Sequence, residues 1–73
     1  METAVSVAEI HVNGEPRAVR VGASLPELLD ELGLPPQTVL VEHNGVALFR
    51  KDWPTIQLAA GDRLEIIRVV AGG

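Results

Sequence analysis

The sequence contains no cysteine and no tyrosine, and its only aromatic residues are Phe49 and Trp53. Without cysteine there is no disulfide, no thiolate nucleophile and no Cys-based metal site. The hydrophobic core must then hold the fold unaided, in a chain of only 73 residues. Positive charge is also scarce: six Lys and Arg stand against ten Asp and Glu, a net charge of −4. Binding to a phosphate backbone needs clustered cations, so nucleic acid is not an expected partner. No apolar run approaches the roughly 18 residues that a membrane span requires. Met1–Val7 has neither the basic start nor the long apolar stretch of a secretory leader, and a cytoplasmic location is expected. There is no HExxH-type spacing and no phosphate-cradling GxxxxGK, and His11 and His43 stand apart from any nucleophile. Each histidine reads as a surface or strand-end residue, and Asp52 and Asp62 read as turn and capping residues. Neither a catalytic residue nor a metal ligand is expected in the body of the domain.

What the chain does contain is pattern. Hydrophobic residues make up 47% of it, mostly aliphatic, and they are ordered. From Val7 to Asn13 the residues alternate, with Ala8, Ile10 and Val12 on one face and Val7, Glu9 and His11 on the other, as in a half-buried strand. Asn13-Gly14 is a strong hairpin signal, since both residues tolerate the positive φ of a type I′ turn. Glu15-Pro16 follows, which allows a loop longer than two residues. The return strand is expected over Arg17–Val21, with Val19 and Val21 inward.

Gly22-Ala23 ends that strand, and Ser24-Leu25-Pro26-Glu27 forms a capping box. Leu25, Leu28, Leu29 and Leu32 then recur at i, i+3, i+4 and i+7 as one apolar stripe of a helix. Gly33 is placed to end the helix and Pro35-Pro36 forbid its continuation. A helix this short does not persist alone and must lie across the apolar face of the hairpin. Val39–Asn44 reads as a third strand with Val39 and Val41 inward. Asn44-Gly45 reads as a second turn, and Val46–Phe49 as a short apolar return. Asp52-Trp53-Pro54 suggests a capped single turn with Trp53 over an end of the core, and Ile56 and Leu58 a brief edge segment. After the turn at Ala60-Gly61-Asp62, Arg63–Val70 is the most apolar strand, with Leu64 and Ile66 inward and Glu65, Ile67 and Val69 outward. The order predicts an α+β fold: a mixed sheet of four or five strands with one main helix, in the β-grasp arrangement. The last strand would then lie centrally, parallel to the first.

Two features point to function. If the third and last strands are neighbours, Leu40, Ile67 and Val69 form an apolar patch on the open side of the sheet. A contiguous patch of this kind marks a docking site, the other reading being cover by the N-terminal segment. Beyond it lie Ala71, Gly72 and Gly73, expected to form a flexible tail. Glycine adds nothing to packing and loses the most backbone entropy on ordering. A diglycine end is instead slim enough to thread a narrow channel and present a carboxylate to chemistry held elsewhere.

The segments VNGEPRAV, SLPELLDELGL, VLVEHNG, KDW and AAGDRLEIIRVVAGG resemble the ThiS sulfur-carrier family of thiamin biosynthesis, whose fold is ubiquitin-like. The resemblance runs from Ala8 onward, and its most specific part is Gly61-Asp62, the apolar strand and Gly72-Gly73. It implies a single sulfur-carrier domain over residues 1–73 that is a protein co-substrate rather than an enzyme. An E1-like adenylating enzyme, using ATP and magnesium, would activate the Gly73 carboxylate. A cysteine desulfurase or rhodanese-type donor would supply sulfur, and thiazole synthase would take it from the resulting thiocarboxylate. The carrier itself would bind no cofactor. A carrier for molybdopterin synthesis or tRNA thiolation, a ubiquitin-like protein modifier and a plain interaction module are the alternatives. The sequence departs from the family pattern at His43, where an aliphatic residue is expected, and in the basic Phe49-Arg50-Lys51 connection.

Overall fold

The first hairpin is tighter than its sequence suggests. In the computed structural model, which describes residues 6–69, strand β1 (Val7–Val12) and strand β2 (Glu15–Arg20) pair antiparallel from Val7↔Arg20 to Val12↔Glu15. Asn13 and Gly14 alone make the turn, at φ 51° and 85°. Pro16 therefore does not lengthen the loop but sits inside β2, opposite His11. It is tolerated because β2 is the outermost strand, where no ladder donor is required of it. The second turn repeats the device: Asn44 and Gly45 take φ 52° and 85° and close His43 onto Val46.

Val21 does not point inward. β2 stops at Arg20, and the Ala23 N–H donates to the Arg20 carbonyl at 3.0 Å to close a turn. Val21 lies at that bend, 53% exposed, and Ala23 is buried in its place. The helix α1 spans Leu25–Glu31 behind the expected capping box: the Ser24 hydroxyl accepts from the Glu27 N–H at 3.3 Å, and Glu27 accepts from the Ser24 N–H at 3.0 Å. At its other end the Gly33 N–H donates to Asp30 and the Leu34 N–H to Leu29, at 3.0 and 2.9 Å. This pair of bonds is the Schellman arrangement, which satisfies carbonyls that the helix itself leaves free. Leu25, Leu28 and Leu29 are buried, and Leu32 and Leu34 pack against the core from its margin.

Strand β3 (Val39–His43) buries Val39 and Val41 as expected. The return strand β4 is only Val46–Ala47, both exposed, and Phe49 beyond it is exposed as well. A 3₁₀ segment, Arg50–Thr55, then places Trp53 in the core, 3% exposed, with the Arg50 guanidinium 5.7 Å from its ring centre. Asp52 does not cap this segment, whose N-cap is Phe49 without a side-chain bond. The brief segment of Ile56 and Leu58 is extended only as a single antiparallel bridge, Ser24↔Gln57, and not as an edge strand of the sheet. Their backbone ties to the lead-in of α1, with the Leu25 N–H donating to Ile56 and the Leu58 N–H to Ala23, and Leu58 is buried. Strand β5 runs Arg63–Arg68, burying Leu64 and Ile66.

The sheet order is β2-β1-β5-β3-β4, with β5 parallel to β1 and antiparallel to β3. One helix covers one face of this mixed five-stranded sheet, and the core lies between them. That is the β-grasp arrangement, and it puts the strand leading to the C-terminus in the middle.

Candidate functional site: the central strand and the open face

Because β5 is central, its two ends meet different surroundings. Its inner residues, Leu64 and Ile66, are anchored in the core, which fixes its outward residues as a row on the open face of the sheet. Leu40 of β3 stands directly opposite Ile67 of β5 in the register. They are 58% and 52% exposed, and Val69, the next outward position along the chain, is 45% exposed. The Val69 N–H donates to the Thr38 carbonyl at 2.7 Å, which holds β5 against β3 up to the root of the tail. The structure thus brings Leu40 and Ile67 together in one apolar row and leaves Val69 beside it. On the same face, one pair further from the tail, Glu42 stands opposite Glu65. Gly72 and Gly73, and the N-terminal segment weighed as cover for the patch, lie outside the described residues.

At the start of β5 there is a polar cluster that sequence reasoning reduced to separate turn residues. The Asp62 carboxylate accepts from the Ala59 N–H at 2.9 Å and from Asn44 Nδ2 at 3.2 Å, and it pairs with His43 Nε2 at 2.9 Å. The side chains of His43 and Asp62 are only 21% and 13% exposed. Burial by itself raises the Asp62 carboxyl, but the bonds from His43, Ala59 and Asn44 outweigh it and hold the group below its ordinary value of 3.8. Asp62 is therefore more than a turn residue: it joins the Ala59–Asp62 turn to the end of β3. The sequence signal was the departure at His43. Its imidazole is paired with a carboxylate, yet no serine or cysteine stands within the cluster. Among the described residues no group of three or more His, Asp or Glu could hold a metal ion. The second lowered carboxyl, Glu27, is held down by the Ser24 N–H first and the Ser24 side chain next, with Arg20 also contributing, which is capping chemistry.

The family model described as the ThiS family matches residues 10–73. The chain belongs to the ThiS family. Its sequence is 34% identical over 64 residues to the sulfur carrier protein ThiS of Thermus thermophilus, covering 88% of this chain and 98% of that one. The fold matches the crystal structure of the thiamine biosynthesis protein ThiS from Geobacter metallireducens with a TM-score of 0.77 at 31% identity, covering 89% of this chain and 99% of that one. It is also 35% identical over 65 residues, 89% of its length, to a protein of Magnetococcus marinus named thiazole synthase. The chain spans about a fifth of the length of that relative, covering 20% of it, and a similar share of a second thiazole synthase, from Paramagnetospirillum magneticum. No helix among the described residues is long and apolar enough to cross a membrane.

Proposed function

We propose that this domain carries sulfur on its own C-terminus, as a co-substrate of other enzymes in the cytoplasm. The Gly73 carboxylate attacks the α-phosphate of ATP on an E1-like adenylating partner that supplies the magnesium, and pyrophosphate leaves. The outer sulfur of a persulfide, held on a cysteine desulfurase or a rhodanese-type donor, then attacks the acyl carbon and displaces AMP to give an acyl disulfide. A partner thiol attacks the donor's sulfur, breaking the S–S bond to release the terminal thiocarboxylate and form a disulfide. Activation is needed because a free carboxylate does not react with sulfur nucleophiles. The thiocarboxylate is itself a strong nucleophile, so the carrier needs no cysteine, and Gly72 keeps the approach slim. Thiazole synthase takes the sulfur. The observation that carries this reading is that sequence like this chain's occurs both as a protein named a sulfur carrier and within one-fifth of proteins named thiazole synthase. The exposed row of Leu40, Ile67 and Val69 at the root of the tail is the surface we assign to contact with thiazole synthase. The carrier binds no cofactor of its own in this scheme.

Intact mass spectrometry of the protein after incubation with the adenylating partner, ATP, magnesium and a sulfur donor tests the scheme. The expected product has one terminal oxygen replaced by sulfur, is alkylated at that position, and is thereby distinguished from oxidised Met1. An unchanged C-terminus under conditions that thiolate another carrier would refute it.

A further inference from the structure

Both Asn-Gly turns reach beyond the hairpins they close and take hold of β5 from opposite sides, Asn44 at its first residue and Asn13 at Ile66, two residues before its end. Asn13 Oδ1 accepts from the Ile66 N–H at 2.7 Å, and Asn13 Nδ2 donates to the Ile66 carbonyl at 3.1 Å. Asn44 Oδ1 accepts from the Arg63 N–H at 2.8 Å. A type I′ turn asks for neither bond, since glycine or aspartate makes the same turn. The reason for the first lies in the ladder. β1 and β5 pair only at His11↔Arg63 and Val12↔Leu64, and the Asn13 N–H still reaches the Leu64 carbonyl at 2.8 Å. There the chain of β1 turns away. A primary amide offers an acceptor and a donor much as a peptide group does, so the Asn13 side chain supplies the next rung.

We infer that Asn13 is a positioning residue for the C-terminal tail. By binding both polar groups of Ile66 it keeps β5 seated on the β1 side two residues past the last paired position. The Val69–Thr38 bond seats it on the other side. Together they fix the seating of β5 up to Val69, from which the tail begins. The inference rests on the reading of Gly73 as the reacting end. Asn44 grips the far end of β5, where a change in seating is not passed to the tail, and so provides an internal control.

Three variants separate this role from turn formation. Asn13→Gly keeps the positive φ and loses both bonds. Asn13→Asp keeps an acceptor for the Ile66 N–H but turns a carboxylate oxygen toward the Ile66 carbonyl. Asn44→Gly removes the control clamp. Hydrogen exchange of the Ile66 amide reports the clamp, and ATP–pyrophosphate exchange by the adenylating partner, followed against carrier concentration, reports delivery of the tail. In Asn13→Gly, loss of the bonds should speed Ile66 exchange about tenfold. It should raise the KM for the carrier about threefold to tenfold with kcat retained, because only the seated fraction docks productively. Asn13→Asp should fall between it and the wild type, and Asn44→Gly should melt lower while keeping KM within about twofold. An unchanged KM in Asn13→Gly, or an equal rise in Asn44→Gly, overturns the inference while leaving the carrier reading intact. A wild-type chain that supports no exchange at all overturns both.

Discussion

Replacing Asp62 with alanine removes the one carboxylate that ties the start of β5 to the β3–β4 turn. Three donors lose their acceptor at once: the Ala59 N–H, His43 Nε2 and Asn44 Nδ2, at 2.9, 2.9 and 3.2 Å. A hydrogen bond to a charged group contributes about 1.5–3 kcal/mol and a neutral one about 1 kcal/mol. The three share one carboxylate and do not add independently, and water reaches part of the cluster, so a loss of about 2–3 kcal/mol is expected. For a domain of this size that is a fall in Tm of roughly 10–20 °C. The pH dependence has a definite sign. The folded carboxyl lies below its ordinary 3.8, so its contribution is fully present above the unfolded value and is lost as pH falls through the folded one. The gap between wild type and Asp62→Ala should therefore hold from about pH 7 to about pH 5 and narrow below about pH 4. Urea titrations read by circular dichroism and by the fluorescence of Trp53, the single tryptophan, would measure it. A loss under about 0.5 kcal/mol near neutrality, or a gap independent of pH, would show that the cluster is incidental. Adding His43→Gln closes a double-mutant cycle, whose coupling should be about 0.5–1.5 kcal/mol.

Deleting Gly73 should abolish adenylation while leaving Tm within about 1 °C, since glycine at a chain end contributes no packing; a collapsed melting curve would place the tail in the fold instead. Ile67→Asp should leave circular dichroism native-like, because the side chain is half exposed, and weaken calorimetric binding to the adenylating partner or to thiazole synthase. Unchanged affinity for both would remove the docking row. Ser24→Ala breaks the capping box and should cost about 1 kcal/mol, a fall in Tm of about 4–8 °C, and an unchanged melt would mean that tertiary contacts alone hold the start of α1.

Which parts of this molecule could be read from its sequence follows from the physics of each contact. Burial of apolar surface depends on area and has no direction, so a period of two or of 3.6 in the side chains suffices to sort inside from outside. Ala8, Ile10, Leu28, Leu29, Val41, Leu64 and Ile66 are buried as their spacing predicts. Local hydrogen bonds within three residues, as in the Ser24–Glu27 box, are equally visible. A local rule fails where it meets a long-range condition. Val21 continues the alternation of β2, but the chain must bend there to start α1. Pro16 looks like a loop residue only until β2 is known to be an edge, and the brief segment of Ile56 and Leu58 is extended as expected but bridges to Ser24 in the lead-in of α1 rather than to an edge of the sheet. Directional polar contacts were illegible altogether. Asp62 finds His43 at a separation of 19 residues and Asn13 finds Ile66 at 53, and both depend on strand registers that a hydrophobic pattern fixes only to within two residues. The one trace was negative. A histidine standing where an aliphatic residue is expected must bring a partner with it if it is mostly removed from water. The sequence shows the need but not which of ten acidic residues meets it. Alternation can therefore place the tail-bearing strand, while the contacts that aim it are settled only by register.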